Sequence, residues 1–588
     1  MNFYFEPRRD NDGDRHDDDD SALGLITLPA AVLQRHGALV LDPGDAAEIP
    51  GRPAPRATVY RARTLLIPGD LLQDAAFVEH SNAVLARVGM RLIPPEADHD
   101  GERGDGRGGI LRSLLGRGRD RARRDGPGAG ILRRLPRPAV LVPAVPQDGM
   151  PALPVVVDAW VALQALRAAV PAPEHPALDE QVVSRIALEH LLISSAITGS
   201  PAKGHGGGIP GGSDDSGVTG PTATDSYLFN GGDSRTPVAV SLDAPRRKSA
   251  DTCKSEYGRR PVVAVLDTGV RAHPWLDVTA NPSGGGYVTA PDGFIAVDHR
   301  MQHVIYEQGK HAVASGDRPR QLIRYPWDAP ITEDPLVGEL DTDTGHGTFI
   351  AGIVRQVARD AQVLAVRLMH GDGVVDESDL ICALGLVAAR VAAAEAGDPA
   401  AMIDVVSLSL GYFDESAADV AYSSGLWQAI EVLLEMGVAV VAAAGNFSTS
   451  CRFYPAAFAE QPQPGPVPLI SVGALNPNGS KALFSDAGHW VKAWAPGAAV
   501  VSILPDDVNG SRGPEITTRG RESLDPDDYS GGWAIWSGTS FSAPLLAAHI
   551  ARSLMKGAAD PLLRLDVPGA QAATNRTVAA LQNLGWQG

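Results

Sequence analysis

From about Arg259 to its end, the chain alternates short, wholly apolar, β-rich runs with longer amphipathic stretches. The runs are Val262 to Leu266, Val363 to Leu368, Val405 to Leu408, Val438 to Ala443 and Leu469 to Val472. Helical patterns such as Leu380 to Ala396 and Ala418 to Met436 lie between them. A strand buried on both faces reads as a continuous apolar run, and an intervening helix supplies the crossover that parallel neighbours need. The pattern therefore predicts an α/β fold whose mainly parallel sheet is covered on both faces. At 588 residues the chain exceeds what one core supports, so a second domain is expected.

That second domain is sought upstream. Residues 1–20 carry the acidic run Asp17 to Asp20 with little apolar content and are expected to be disordered. Residues 21–198 read as a smaller α/β N-terminal domain. Ala57 to Pro68, Met90 to Ile93 and Pro138 to Pro143 look like strands. Asp70 to Val88 looks like one helix, with Asp70 as N-cap and Gly89 as its stop. Val155 to Val170 and Leu178 to Ala196 continue with strand and helix periodicity. An Arg/Gly-rich insertion, 101–138, interrupts this domain. It lacks interleaved aromatics for base stacking, so a solvated loop is preferred to a nucleic-acid patch. Residues 199–257 are Gly-, Ser- and Pro-rich and read as a flexible linker, whose end, Val238 to Val240, could already lie along the next domain.

The net charge of −19 argues against a general polyanion binder. Cys253, Cys382 and Cys451 form neither a disulfide framework nor a zinc motif. No secretory signal and no apolar run of membrane-spanning length is seen, so a cytoplasmic protein with no membrane and no nucleic-acid partner is expected, with export by another route left open.

Three distant stretches carry the groups of a hydrolytic triad in the order Asp, His, Ser: VVAVLDTGV with Asp267, DTGHGTFIAG with His346, and WSGTSFSAP with Ser540. A serine hydroxyl needs a positioned base, an imidazole titrates near neutrality, and a carboxylate can orient that imidazole. Asp267 ends an apolar run, at the sheet edge where ligands bind in such folds. Each motif alone is a common turn or cap; their ordered coincidence is the signal. A fourth stretch, VAVVAAAGN, ends at Asn446, whose amide suits an oxyanion.

With DTGV, GHGTFIAG, SLSLG, AAGN and GTSFSAP in this order, the region from about 259 to 560 resembles the subtilisin-type (S8 family) serine peptidases. The resemblance implies a three-layer peptidase domain over 258–588, acting as a serine endopeptidase on protein or peptide substrates. It implies Ser540 as nucleophile, His346 as general base and acid, Asp267 orienting His346, and Asn446 with the Ser540 N–H holding the oxyanion. Ser409, Leu410 and Gly411, with Ala443, Ala444 and Gly445, would wall the pocket for the residue before the scissile bond. Gly371 to Gly373 would lie on the edge strand that pairs with extended substrate. The N-terminal domain would be a prodomain and inhibitor, making the chain a zymogen, or else a partner sensor. No cofactor is assigned. Structural calcium follows from the resemblance alone, because Asp372, Asp376 and Asp379 do not match the EF-hand spacing. Phe349 and Phe541 read as packing residues, and Cys451 as a small buried residue rather than a redox thiol. The insertion from about Gly284 to Asp341 is expected to rim or cover the cleft.

Overall fold

The structure is a computed structural model describing residues 3–6, 28–46, 54–94, 135–144, 155–170, 176–195, 227, 235–283, 286–314, 322–329, 332–334, 339–415, 425–508, 517–519, 521–522 and 528–587. The acidic run 17–20, nearly all of the 101–138 insertion and most of the 199–257 linker lie outside the described residues.

The apolar runs assemble into one sheet. Its order is Tyr4–Phe5, Ala493–Pro496, Leu469–Leu475, Ala439–Ala443, Val405–Leu408, Val262–Asp267, Gln362–Arg367 and Ile295–Val297. All neighbours run parallel except Tyr4–Phe5, which pairs antiparallel with Ala493–Pro496. Side chains alternate between two cores. Val263 and Val265 face helices His346–Val357 and Thr539–Gly557, while Ala264 and Leu266 face Glu377–Glu395 and Gly425–Glu435. Connections from the strand Val262–Asp267 first run to one side and later to the other. Its C-terminal end is therefore the switch point where α/β sheets leave a crevice.

Upstream, Met90–Ile93, Pro136–Pro143, Thr58–Pro68 and Ala187–Ser194 form an antiparallel sheet in that order, and Ala38–Leu41 also pairs with Thr58–Pro68. Helices Ala75–Ala86 and Ala159–Ala168 cover one face through Phe77, Leu163 and Leu166. The other face, through Val59, Leu66 and Leu191, shares a core with Leu384 and Val387 of Glu377–Glu395. Among the described residues no helix is long and apolar enough to cross a membrane.

Several expectations are corrected. The N-terminal tail is not disordered throughout. Tyr4–Phe5 joins the central sheet, anchored by Phe3 against His549 (4.8 Å) and Phe5 against Trp586 (5.1 Å). The single helix from Asp70 is two: Gly69–Leu72, then Ala75–Ala86, capped by Asp74 accepting from the Ala76 N–H. Asp70 is not a cap but the second residue of the first helix, which follows Pro68, and only Asp74 caps through its side chain. The linker ends well before 257, because Arg235–Pro237 pairs with Trp533–Trp536 and Ala250–Tyr257 is a helix capped by Ser249. Arg235 is buried there, its guanidinium over the rings of Tyr529 and Trp536. In the described part of the 284–341 insertion, Asp328 stands beside the His346 turn and accepts the Gly345 N–H. The insertion's helix His299–Ala314 packs on Glu377–Glu395, with Gln302 donating to the Arg367 carbonyl and Gln308 to Asp379.

Candidate active site

Asp267 is the last residue of its strand and His346 the first of its helix, so both stand at the crevice. His346 Nδ1 lies 2.8 and 3.0 Å from the two Asp267 carboxylate oxygens. Oδ1 also accepts the Thr268 N–H, and Thr268 Oγ1 accepts the Gly347 N–H, stitching the turn to the helix. Glycine is required at 347. A Cβ there would overlap the Gly269 carbonyl oxygen and sit 3.2 Å from Asp267 Oδ1. The imidazole packs against Trp536 (5.5 Å) and Phe541 (5.6 Å), and Phe349 completes the same aromatic cluster.

Burial disfavours the imidazolium, but Asp267 beside it, with Asp343 and Asp328 further out, outweighs this and raises the His346 pKa above its ordinary value. Neither outer carboxylate was singled out from sequence. Asp328 accepts the Gly345 N–H at 2.7 Å, and burial pushes its pKa to about 6 despite Arg367. Asp343 is raised by burial against the pull of His346, Ser194 and Thr342. Arg235 donates to the Thr344 carbonyl and steadies the same turn.

Ser540 is the second residue of helix Thr539–Gly557, so its backbone N–H belongs to the unpaired first turn and is free for a ligand. Pro544 sits inside this helix. Lacking an N–H, Pro544 leaves the Ser540 carbonyl to accept from Ser409 Oγ at 2.9 Å. Asn446 Oδ1 accepts from the Thr539 N–H and hydroxyl, which turns the Asn446 Nδ2 toward the crevice.

What meets these donors is the chain itself. The Ser195 carbonyl accepts from the Ser540 N–H at 2.9 Å and from Asn446 Nδ2 at 2.6 Å. Ser195 N–H donates to the Ser409 carbonyl (3.0 Å), and Ser194 N–H to the Gly373 carbonyl (2.8 Å). Ala187–Ser194 is thereby an added antiparallel strand between Val374–Asp376 and Leu410–Phe413. The expected edge shifts slightly. Gly371 and Asp372 form a turn, in which the Gly371 carbonyl holds the Asp343 N–H. Pairing begins at the Gly373 carbonyl and continues through Val374. Leu410 lies opposite Ser194 and Gly411 opposite Ile193, while Ala444 and Gly445 lead from the strand Ala439–Ala443 to Asn446. Ser540 Oγ does not point at His346. It donates to the Ser409 carbonyl at 3.1 Å, and His346 Nε2 has no hydrogen-bond partner among the described residues.

Charged side chains fix the strand and its sheet in place. His190 is buried with Nδ1 2.8 Å from Glu377 and Nε2 2.8 Å from Glu415, stacked on Tyr412 at 4.2 Å. Burial opposes its charge, but the two glutamates prevail and raise the His190 pKa well above the ordinary value. Asp372 takes Arg35 (2.6 Å) and His36 (3.0 Å), which hold its carboxyl below the usual range against the effect of burial. Asp376 faces Arg61 at 4.0 Å. The three aspartates weighed as a calcium loop are thus committed to protein partners, with Asp379 on Gln308. Among the described residues no three His, Cys, Asp or Glu side chains converge as metal ligands. Cys451 is buried.

The model of the subtilase family matches residues 258–585. Subtilisin-like protease 2 of Pseudogymnoascus destructans is 33% identical over 172 residues, covering 28% of this chain and 37% of that protein. Subtilisin BL of Lederbergia lenta is 31% identical over 259 residues, 42% of this chain and 68% of that protein. A solved cold-adapted subtilisin-like serine proteinase aligns with 19% identity and a TM-score of 0.30, over 53% of this chain and 79% of that one. The matches span under half the length of the first relatives: 37%, 38% and 43%.

Proposed function

The chain belongs to the subtilase family, and from that premise we propose that it is a serine endopeptidase held as a zymogen by its own N-terminal unit. The observation that carries this reading is the Ser195 carbonyl between the Ser540 N–H and the Asn446 amide, where a reacting carbonyl would sit. The bond to be cut in the chain itself is Ser195–Ala196.

Ser540 Oγ rotates off the Ser409 carbonyl and attacks the substrate carbonyl carbon, while His346 Nε2 takes its proton. The carbonyl π pair becomes an oxyanion, met by the two donors that already hold Ser195. Collapse breaks the C–N bond, and His346 returns the proton to the leaving amine. Water then repeats the sequence on the acyl-enzyme. Asp267 keeps His346 Nδ1 protonated and steadies the imidazolium. Substrates bind as extended strands on the edge that Ala187–Ser194 fills, so the uncut N-terminal unit blocks them by occupying that edge.

Intact-mass analysis of the full chain beside Ser540→Ala tests this. A break after Ser195 in the wild type only is the expected result. Identical cleavage patterns for the two, together with no fluorophosphonate adduct on Ser540, would instead favour an idle peptide-binding scaffold.

A further inference from the structure

The two glycines that should leave a slot for a substrate side chain both face one ring of the chain itself. A Cβ on Gly411 would come 2.8 Å from Phe453 Cδ1, and a Cβ on Gly445 would come 3.1 Å from that same atom. Phe453 is fully buried. Its backbone pairs with Phe413, and its ring rests on those of Phe413 (5.1 Å) and Phe447 (5.7 Å), so it is braced rather than loose. The walls 409–411 and 443–445 therefore enclose an aromatic side chain instead of a void.

The residue seated at the mouth of these walls is small. Ser195 is fixed by its N–H on Ser409 and its carbonyl on Ser540 and Asn446, and its own side chain is buried. Its Oγ finds no hydrogen-bond partner among the described residues, so the pocket takes the group by size and not by polarity. A longer side chain at this position would have to enter the space that the Phe453 ring holds.

We propose that Phe453 sets the specificity of this enzyme, by closing the pocket for the residue before the scissile bond to all but small side chains such as alanine and serine. The inference rests on the serine-peptidase reading above and names the substrate class for it. A hydrophobic pocket that admits or rejects by volume discriminates by roughly 10–200-fold per methylene step. A benzyl or isobutyl group is several such steps too large.

The test uses the full chain after self-cleavage and fluorogenic peptides Leu-Ile-Ser-X, which copy residues 192–194. Wild type is expected to cut X = Ala and Ser with kcat/KM at least about 100-fold above X = Phe and Leu. Phe453→Ala is expected to raise the Phe-to-Ala ratio by at least about tenfold, and the milder Phe453→Leu by less. A wild type that prefers Phe or Leu overturns the proposal, as does an unmoved ratio in two variants whose Ser540 still takes a fluorophosphonate. Should a variant fail to label, the wild-type series alone decides. A wild type that labels but cuts none of the peptides also overturns the small-residue inference. One that neither labels nor cuts overturns the peptidase reading itself.

Discussion

Removing the His190 imidazole should unlatch the N-terminal unit. His190 is buried between Glu377 and Glu415 at 2.8 Å each, and Arg167 approaches Glu415 only to 3.9 Å. His190→Ala leaves two carboxylates facing a void with little compensation, and it also loses the ring stacked on Tyr412. Truncating one partner of a buried pair costs about 3–5 kcal/mol, so the cut N-terminal unit should be held roughly 10²–10³·⁵-fold less tightly. The assay follows peptide hydrolysis by the self-cleaved chain against total protein, which reads the inhibitor constant through dilution. Replacing the acids as well, in His190→Leu with Glu377→Gln and Glu415→Gln, removes the stranded charges and should recover much of the loss. Inhibition by His190→Ala within about threefold of wild type would refute the reasoning, because a buried charge pair cannot be broken so cheaply.

The same cluster fixes a pH response. The folded-state pKa of His190 is raised, so its stabilisation is complete below the unfolded value of about 6.5 and is lost as pH climbs through the raised value. Glu415 is depressed, chiefly by His190 acting against its burial, so its share is lost only as pH falls below the ordinary carboxylate range. Tyr412, raised by burial, stays neutral throughout. The latch should hold from mild acid to neutrality and loosen in alkali, which size-exclusion of the self-cleaved chain across pH would register.

Other outcomes follow from single groups. Asn446→Ala should lower kcat by about 10²–10³ with KM little changed, since one of two donors to the developing oxyanion is lost. The pH profile of kcat/KM should rise through a midpoint above about 6.5, because His346 must be neutral and its pKa is raised; Asp267→Asn should move the midpoint down and cost about 10⁴ in rate. Gly347→Ala should lower activity by about 10² or more with far-UV circular dichroism unchanged, as its Cβ forces the His346 helix off the Asp267 turn. Asp486→Asn should raise stability at pH 8 by roughly 1–3 kcal/mol, a gain that shrinks toward pH 4. Burial raises the Asp486 pKa well above normal, so the wild type loses stability as pH rises past the unfolded value.

The candidate reacting groups could be picked out because each sits inside a short local pattern. Asp267 closes an apolar run, His346 stands between two glycines, and Ser540 opens an apolar helix; neighbours in sequence explain each position. Asp328 and Arg235 were not legible, since they reach the site through tertiary register alone; Asp343 stands three residues before His346 in the same motif, its carbonyl accepting the His346 N–H. The strand Ala187–Ser194 was half legible. It fell within Leu178 to Ala196, read only as continuing strand and helix periodicity, and the charged pair Glu189–His190 inside it was passed over. Nothing in the run named the partner edge, because backbone pairing is indifferent to side-chain identity. Phe453 was missed for a related reason. Gly411 and Gly445 were read as walls of a pocket, and the ring that faces both belongs to a separate strand, Phe453–Tyr454.

Helix Glu377–Glu395 shows how the N-terminal sheet and the central sheet share one core. It is buried almost all the way round, including Glu377, Ser378 and Asp379 in its first turn. A helix apolar on every side needs cover on every side. The central sheet supplies one side through Ala264 and Leu266, and the N-terminal sheet supplies another through Val59, Leu66 and Leu191. Its first turn is completed by His190 on Glu377, next to Arg61 on Asp376. The strand that blocks the crevice and the sheet that covers this helix are therefore the same element, Ala187–Ser194 with its neighbours. On the proposed zymogen reading, release of the crevice must also uncover apolar surface on Glu377–Glu395, so the hydrophobic face would oppose activation as much as the charge latch does.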